Sequence, residues 1–286
     1  MDDRMHRRPP AAPLPYPEPL WALLAEARSL GFLGPGPLDR HLANAQGFAV
    51  ALGEVDVFTG SSPRVLDLGS GGGLPGLVLA ACWPDARFTL FDAGKRRVEF
   101  LEHAVETLDD GDRIEVIRGR AEELGREPVR RGAYDLVVAR SFGPPAITAE
   151  CASPLLRIGG LLVTSEPPPP DLGYDHDLTD GSDLEGRGSS GTEGVVAGKV
   201  DEPIRWPASG LARLGMGPVV PRPVTVAVGL PLPPPSMVTV QGPVDATSGS
   251  PGSGHSVFHF QVLRQESQCP DRYPRRVGVP AKRPLF

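Results

Sequence analysis

Val65-Leu66-Asp67-Leu68-Gly69-Ser70-Gly71-Gly72-Gly73-Leu74-Pro75-Gly76 is the stretch on which the reading of this chain turns. Arg64–Leu68 has the length and apolar content of a short strand, and Leu74–Cys82 that of an apolar helix. A glycine-rich turn between a strand and a helix is where doubly wound proteins bind nucleotides. Glycines let the backbone turn tightly and approach a ligand without a Cβ in the way. Gly71, Gly73 and Gly76 also satisfy GxGxxG, a pattern that alone suits NAD equally well. Asp67 shifts the balance, standing two residues before the first glycine in an Asp-x-Gly-x-Gly-x-Gly order. An anion there is awkward beside a pyrophosphate but welcome beside a ligand bearing an ammonium and a sulfonium. S-adenosylmethionine carries both cations and no phosphate.

Outward from that loop the pattern repeats. Arg87–Phe91 reads as a second strand, with Asp92 just past it and placed to accept hydrogen bonds from ribose hydroxyls. Lys95–Leu108 is an amphipathic helix with Val98, Leu101, Val105 and Leu108 on one face. Further strands follow at Arg113–Ile117, Tyr134–Ala139 and Gly159–Thr164, the last two separated by a proline-started helix near Pro145–Leu156. Such alternation means βαβ units, hence an α/β, Rossmann-like doubly wound sheet, mostly parallel, with helices on both faces. Upstream, Leu20, Leu23, Leu24 and Ala27 share one helical face, and Leu38, Leu42, Ala45, Ala49 and Leu52 another. Downstream, Pro223–Val228 and Val257–Leu263 suit a long antiparallel hairpin at the sheet's edge.

Composition divides the chain further. Glycine (35) and proline (34) make up about a quarter of 286 residues, which excludes an all-helical bundle. Residues 1–17 read as a disordered leader, because five prolines between Pro9 and Pro17 forbid regular helix. The expected organisation is N-terminal helices at 18–60 and a cofactor-binding core at 61–165. A disordered acidic insert follows at 166–205, an edge hairpin with a long flexible loop at 206–264, and a basic arm at 265–286. The formal charge is −6, yet residues 171–202 hold nine acids against two bases, leaving the remainder near +1. Arg264–Phe286 carries six bases against two acids, a footprint that suits nucleic acid even on an acidic chain. No apolar run is long enough to cross a membrane, so no membrane partner is expected. Three cysteines without CxxC spacing suit a reducing cytoplasm, and no histidine shows metal-ligand spacing.

Several motifs together carry a resemblance. Leu66–Gly76, Phe91-Asp92-Ala93-Gly94-Lys95-Arg96, Gly119-Arg120-Ala121-Glu122 and Ala139-Arg140-Ser141-Phe142 are four of them. The tail Tyr273-Pro274-Arg275-Arg276-x-Gly278-x-Pro280-x-Lys282-x-Pro284-Leu285 is the fifth. With these the chain resembles the glucose-inhibited division protein B family, bacterial 16S rRNA guanine-N7 methyltransferases, over roughly residues 36–165 and 257–286. The resemblance implies a class I methyltransferase that uses S-adenosylmethionine, acts on the small ribosomal subunit and works as a monomer. It puts Gly69 and Leu74 on cofactor-loop positions, Ala121 and Glu122 on the pair that meets adenine, and Arg140 on the arginine ending the fourth strand. Arg140 is then a candidate for the cofactor carboxylate or an RNA phosphate. Arg272, Tyr273, Arg275, Arg276, Lys282 and Arg283 are candidate RNA grips, Tyr273 as a stacking surface; a basic arm packed along the sheet and stiffened by Pro274, Pro280 and Pro284 is an equal and compatible reading.

Two elements depart from the family. Its His-x-x-Asp-Ser is here His41-Leu42-Ala43-Asn44-Ala45, and its Lys-Gly after the fifth strand is Ser165-Glu166-Pro167. Glu166 is expected to repel RNA, and His41 to be a helix-surface residue. These changes leave open a same-fold enzyme acting on a small molecule or protein, or a non-catalytic ribosome-associated relative. For guanine N7 no catalytic base is expected, because its lone pair loses no proton on methylation and positioning does the work.

Overall fold

The computed structural model describes residues 16–52, 62–168, 205–218, 224–229 and 255–286. The expected leader, insert and long loop thus fall, at residues 1–15, 169–204 and 230–254, outside the described residues. The elements in chain order are α1 (Glu18–Ser29), α2 (Leu38–Leu52), β1 (Arg64–Leu68), α3 (Gly76–Cys82), β2 (Arg87–Asp92) and α4 (Lys95–Thr107). Then come β3 (Ile114–Arg118), α5 (Ala121–Leu124), β4 (Tyr134–Ala139), α6 (Pro145–Ala152) and β5 (Leu156–Glu166). The chain closes with α7 (Ala208–Ala212), β6 (Met216–Pro218), β7 (Val224–Gly229), β8 (His255–Gln265) and α8 (Val279–Lys282).

Neighbouring strand residues bury into opposite layers, as a sheet covered on both faces requires. Val65, Leu90, Leu136, Val138, Leu161 and Val163 pack with α1 to α4. Leu66, Leu68, Phe91, Val137 and Leu162 pack with α5, α6, α7 and the C-terminal tail. Helix α4 shows how pattern becomes packing: Val98, Leu101 and Val105 are buried at i, i+3 and i+7, and a left-handed Asp109 (φ 55°) turns the chain after it.

The strand order is β3-β2-β1-β4-β5-β8-β6, with β7 also paired to β8. β1 to β5 are parallel, and β8 runs antiparallel beside β5. The order reverses between β1 and β4, which opens a crevice at their carboxyl ends.

Differences from expectation have local causes. Helix α3 starts at Gly76 rather than Leu74, because residues 71–75 are spent on the glycine turn. Asp92 is the last residue of β2, its carbonyl accepting from Gly119 N–H (3.2 Å), rather than just beyond the strand. β5 begins three residues early, at Leu156, where a register irregularity opposite Tyr134–Leu136 absorbs the offset. The downstream hairpin exists, yet β8 is its inner strand, seated against β5, while β6 and β7 share its outer edge. The short α7 and β6 were not expected; five and three residues are too few for a periodicity.

Candidate cofactor and substrate site

The carboxyl end of β1 is bound to that of β2. Gly69 N–H and Ser70 N–H donate to Phe91 carbonyl oxygen (2.8 and 2.9 Å), and Phe91 N–H donates to Ser70 Oγ (3.0 Å). Gly69 takes φ 81°, in the left-handed region, and a Cβ there would stand 2.7 Å from the Phe142 ring. Both its dihedral and its neighbour therefore demand glycine. Gly69, Gly71 and Leu74 line an open cavity of about 500 Å3 at the crevice; Gly73 faces away, against Leu77.

Asp92 organises the loop from the side. It is 3% exposed, and its Oδ2 accepts Gly71 N–H at 3.0 Å while Oδ1 accepts Gly94 N–H at 2.7 Å. Arg97 Nη1 donates to the same Oδ2 at 3.2 Å. A carboxylate offers about four lone pairs, so one on Oδ1 is not spent within the loop, although Asp92, like Ala121 and Glu122, does not itself line the cavity. Asp92 pairs in register with Arg118 at the end of β3. Three residues beyond Arg118, α5 begins, and its first-turn amides, Ala121 and Glu122, have no partner within their own helix.

Asp67 departs from expectation. It does not line the cavity but lies behind the loop, 1% exposed, its Oδ2 accepting Gly76 N–H at 2.9 Å, the first amide of α3. Its Oδ1 has no hydrogen-bond partner among the described residues. Burial pushes the carboxyl up to about 7, against the opposing pull of the Gly76 amide. Asp67 shapes the loop from beneath, rather than reaching a ligand directly.

Arg140, at the end of β4, closes the cavity opposite the glycines. Its Nη2 donates to His41 Nδ1 at 3.3 Å, and its Nη1 is buried with no partner among the described residues. Burial lowers the guanidinium's pKa, while Asp67 nearby raises it. A buried donor with nothing to donate to is costly, and a ligand anion removes that cost. Ser141 next to it takes φ 54° without being glycine, the kind of strain that collects at functional loops.

His41 is a correction: expected on a helix surface, it lies in the cavity wall with Arg140. The i, i+3 spacing of His41 and Asn44 puts both on the cavity side of α2, a signal the sequence did contain. Sequence reasoning also missed the loop Phe32–Pro35 between α1 and α2, which roofs the cavity. Glu166 is corrected as well. Its side chain is only 3% exposed and accepts Arg205 Nε at 2.7 Å, so its charge is compensated rather than presented to an RNA.

The tail is packed, not free. Arg275 donates through Nε and Nη2 to the two oxygens of Glu150 (2.8 and 2.6 Å), a carboxylate with no exposure at all. Its backbone N–H adds a third bond at 2.9 Å. Tyr273 is 3% exposed inside the α5–α6 layer. Neither Arg275 as a phosphate grip nor Tyr273 as a stacking surface fits this arrangement. Glu122 turns its side chain to the tail too, accepting Gly278 N–H at 2.9 Å. Arg126 and Arg131 donate to the carbonyls of Pro274, Tyr273 and Cys269 (2.6, 2.8 and 2.7 Å). Arg272, Arg276, Lys282 and Arg283 stay exposed. Among the described residues no group of three or more His, Cys, Asp or Glu side chains could hold a metal, and no helix is long and apolar enough to cross a membrane.

Comparison with known proteins matches this sequence to a family. The profile of rRNA small subunit methyltransferase G matches residues 38–165. The ribosomal RNA small subunit methyltransferase G of Roseiflexus castenholzii is 30% identical over 228 residues, 79% of this chain and 73% of that protein. That of Deinococcus deserti is 31% identical over 225 residues, covering 78% and 68%. That of Rubrobacter xylanophilus is 29% identical over 222 residues, 78% of this chain but 65% of the relative, slightly under two thirds of its length.

Proposed function

The chain belongs to the rRNA small subunit methyltransferase G family, class I enzymes that use S-adenosylmethionine, and from that membership we propose that it methylates N7 of a guanine in 16S rRNA. The observation that carries the site reading is Arg140 itself, a guanidinium in the wall of a glycine-lined cavity whose Nη2 is held by His41. We assign it to the carboxylate of the cofactor's methionine moiety. The free lone pair of Asp92 Oδ1 takes a ribose hydroxyl, and the first-turn amide of Glu122 reads adenine. Gly69, Gly71 and Leu74 leave room along the cofactor's length. When bound, S-adenosylmethionine supplies an electrophilic methyl group on a sulfonium.

This chain's own residues then position and exclude water. Guanine N7 keeps a lone pair and sheds no proton as it is methylated, so no side chain has to act as a base. Holding N7 in line with the methyl donor is worth several kcal/mol by itself, roughly the scale of other entropy traps. The acceptor base enters from the open side of the cavity, past Ser141 and Ser165. The exposed Arg40 and Arg97 on its rim meet RNA phosphates, with Arg272, Arg276, Lys282 and Arg283 as outlying contacts. A base in folded rRNA has to be presented to such a site. We read the enzyme as a monomer, and its three free thiols fit the cytoplasm.

Calorimetry with S-adenosylhomocysteine tests the assignment. Arg140→Met, similar in bulk and uncharged, is expected to raise the dissociation constant by about 10- to 100-fold, the range of a lost charge-assisted bond. Unaltered affinity in a folded variant contradicts it.

A further inference from the structure

We propose that His41 is a positioning residue, whose neutral imidazole holds the Arg140 guanidinium in the cavity wall and the α1–α2 loop over the cavity at the same time. The hydrogen bonds fix its form. A guanidinium can only donate, so His41 Nδ1 accepts from Arg140 Nη2 at 3.3 Å. The hydrogen is therefore on Nε2, which donates to the Gly34 carbonyl at 3.0 Å. One ring thus links the end of β4 to the loop that roofs the glycines. That loop is closely seated: a Cβ added at Gly72 would stand 2.8 Å from Leu33 and 3.2 Å from Phe32. Arg140's other nitrogen, Nη1, has no partner among the described residues, so the bond from Nη2 to His41 is the side-chain hydrogen bond that fixes the guanidinium.

Protonating His41 puts a hydrogen on Nδ1 facing a guanidinium, so the imidazolium expels Arg140. Every charged group around the ring acts in that direction: Arg140 from β4, Arg28 from α1 and Arg40 from α2 itself. The loop from Gly31 to Pro37 has no titratable side chain to offset them. Glu166, in the same cavity wall, is occupied by Arg205. Burial and these cations hold the His41 pKa below its ordinary value, keeping the ring neutral at neutral pH. The proposal rests on the reading of Arg140 as the cofactor's carboxylate partner.

The test is the affinity of the full-length protein for S-adenosylhomocysteine, measured by calorimetry from pH 5.5 to 8.0. The wild type is expected to lose affinity only on the acid side of about pH 6.5, the ordinary imidazole value, and increasingly towards pH 5.5. His41→Gln offers an acceptor and a donor without titrating, and is expected to bind nearly as the wild type at pH 8.0 with that acid loss removed. His41→Ala is expected to bind about tenfold more weakly at pH 8.0 while melting as a folded protein. Asp67 also titrates near this window, at about 7. A wild-type acid loss that persists in His41→Gln belongs to Asp67 and overturns the proposal, as does full affinity in His41→Ala. Absence of binding by the wild type at every pH instead brings down the cofactor reading, and the proposal with it.

Discussion

At the scale of single residues, Asp67 sets a pH dependence whose sign can be worked out. Its carboxyl titrates near 7 in the fold and near 4 when unfolded. A group with a raised folded pKa contributes stability that is fully present below about pH 4 and is lost as pH rises to about 7, at roughly 1.4 kcal/mol per pH unit. Asp67→Asn keeps an oxygen for Gly76 N–H and gives the bare Oδ1 position an amide. The variant is expected to melt higher than the wild type at pH 8 and to flatten the melting profile between pH 5 and 7. Thermal melts across that range check this, and a lower melting temperature at pH 8 contradicts it. Asp92→Ala is expected to weaken cofactor binding by about 1–3 kcal/mol, because it removes both a ribose acceptor and the anchor of Gly71. Calorimetry on a folded variant checks that. The acids themselves were legible in the sequence; their roles were less so. Spacing puts Asp67 at a strand end, but only the fold shows its carboxylate turned beneath the loop to the start of α3. His41 was misread because its partners, Gly34 and Arg140, are seven and 99 residues away.

At the scale of elements, the tail is the informative case. Its net charge and its prolines left an RNA arm and an arm packed along the sheet equally open. The structure spends Arg275 on Glu150, whose burial makes the ion pair hard to break. Arg275→Ala strands a buried carboxylate and is expected to cost about 3–5 kcal/mol of stability. The salt dependence of RNA binding should hardly change, whereas replacing exposed Arg272 and Arg276 together should flatten it by up to about two units. Measuring both variants by melting and by binding across a salt series separates the two roles. A flattened salt slope with unchanged melting in Arg275→Ala contradicts the packing account. The strands were read closely because short apolar runs bounded by turn residues are local signals; β1 and β4 match residue for residue. The place of β8 depends on long-range pairing, which no local pattern encodes.

At the scale of the whole molecule, function follows from where the sheet reverses. The crevice between β1 and β4 brings Gly69, Arg140 and, through α2, His41 around one cavity. The doubly wound order was legible because strands and helices alternate; the roof over the crevice was not, since Phe32–Pro35 has no periodicity of its own. The central claim is that this cavity methylates N7 of a guanine in 16S rRNA. The most direct test is to incubate the full-length protein with S-adenosylmethionine and small ribosomal subunits whose 16S rRNA lacks the modification, then identify the methylated nucleoside by mass spectrometry. The account predicts 7-methylguanosine in the 16S rRNA, lost with Arg140→Met. A methyl group on any other atom or base, or no transfer from a protein that binds the cofactor, would contradict it.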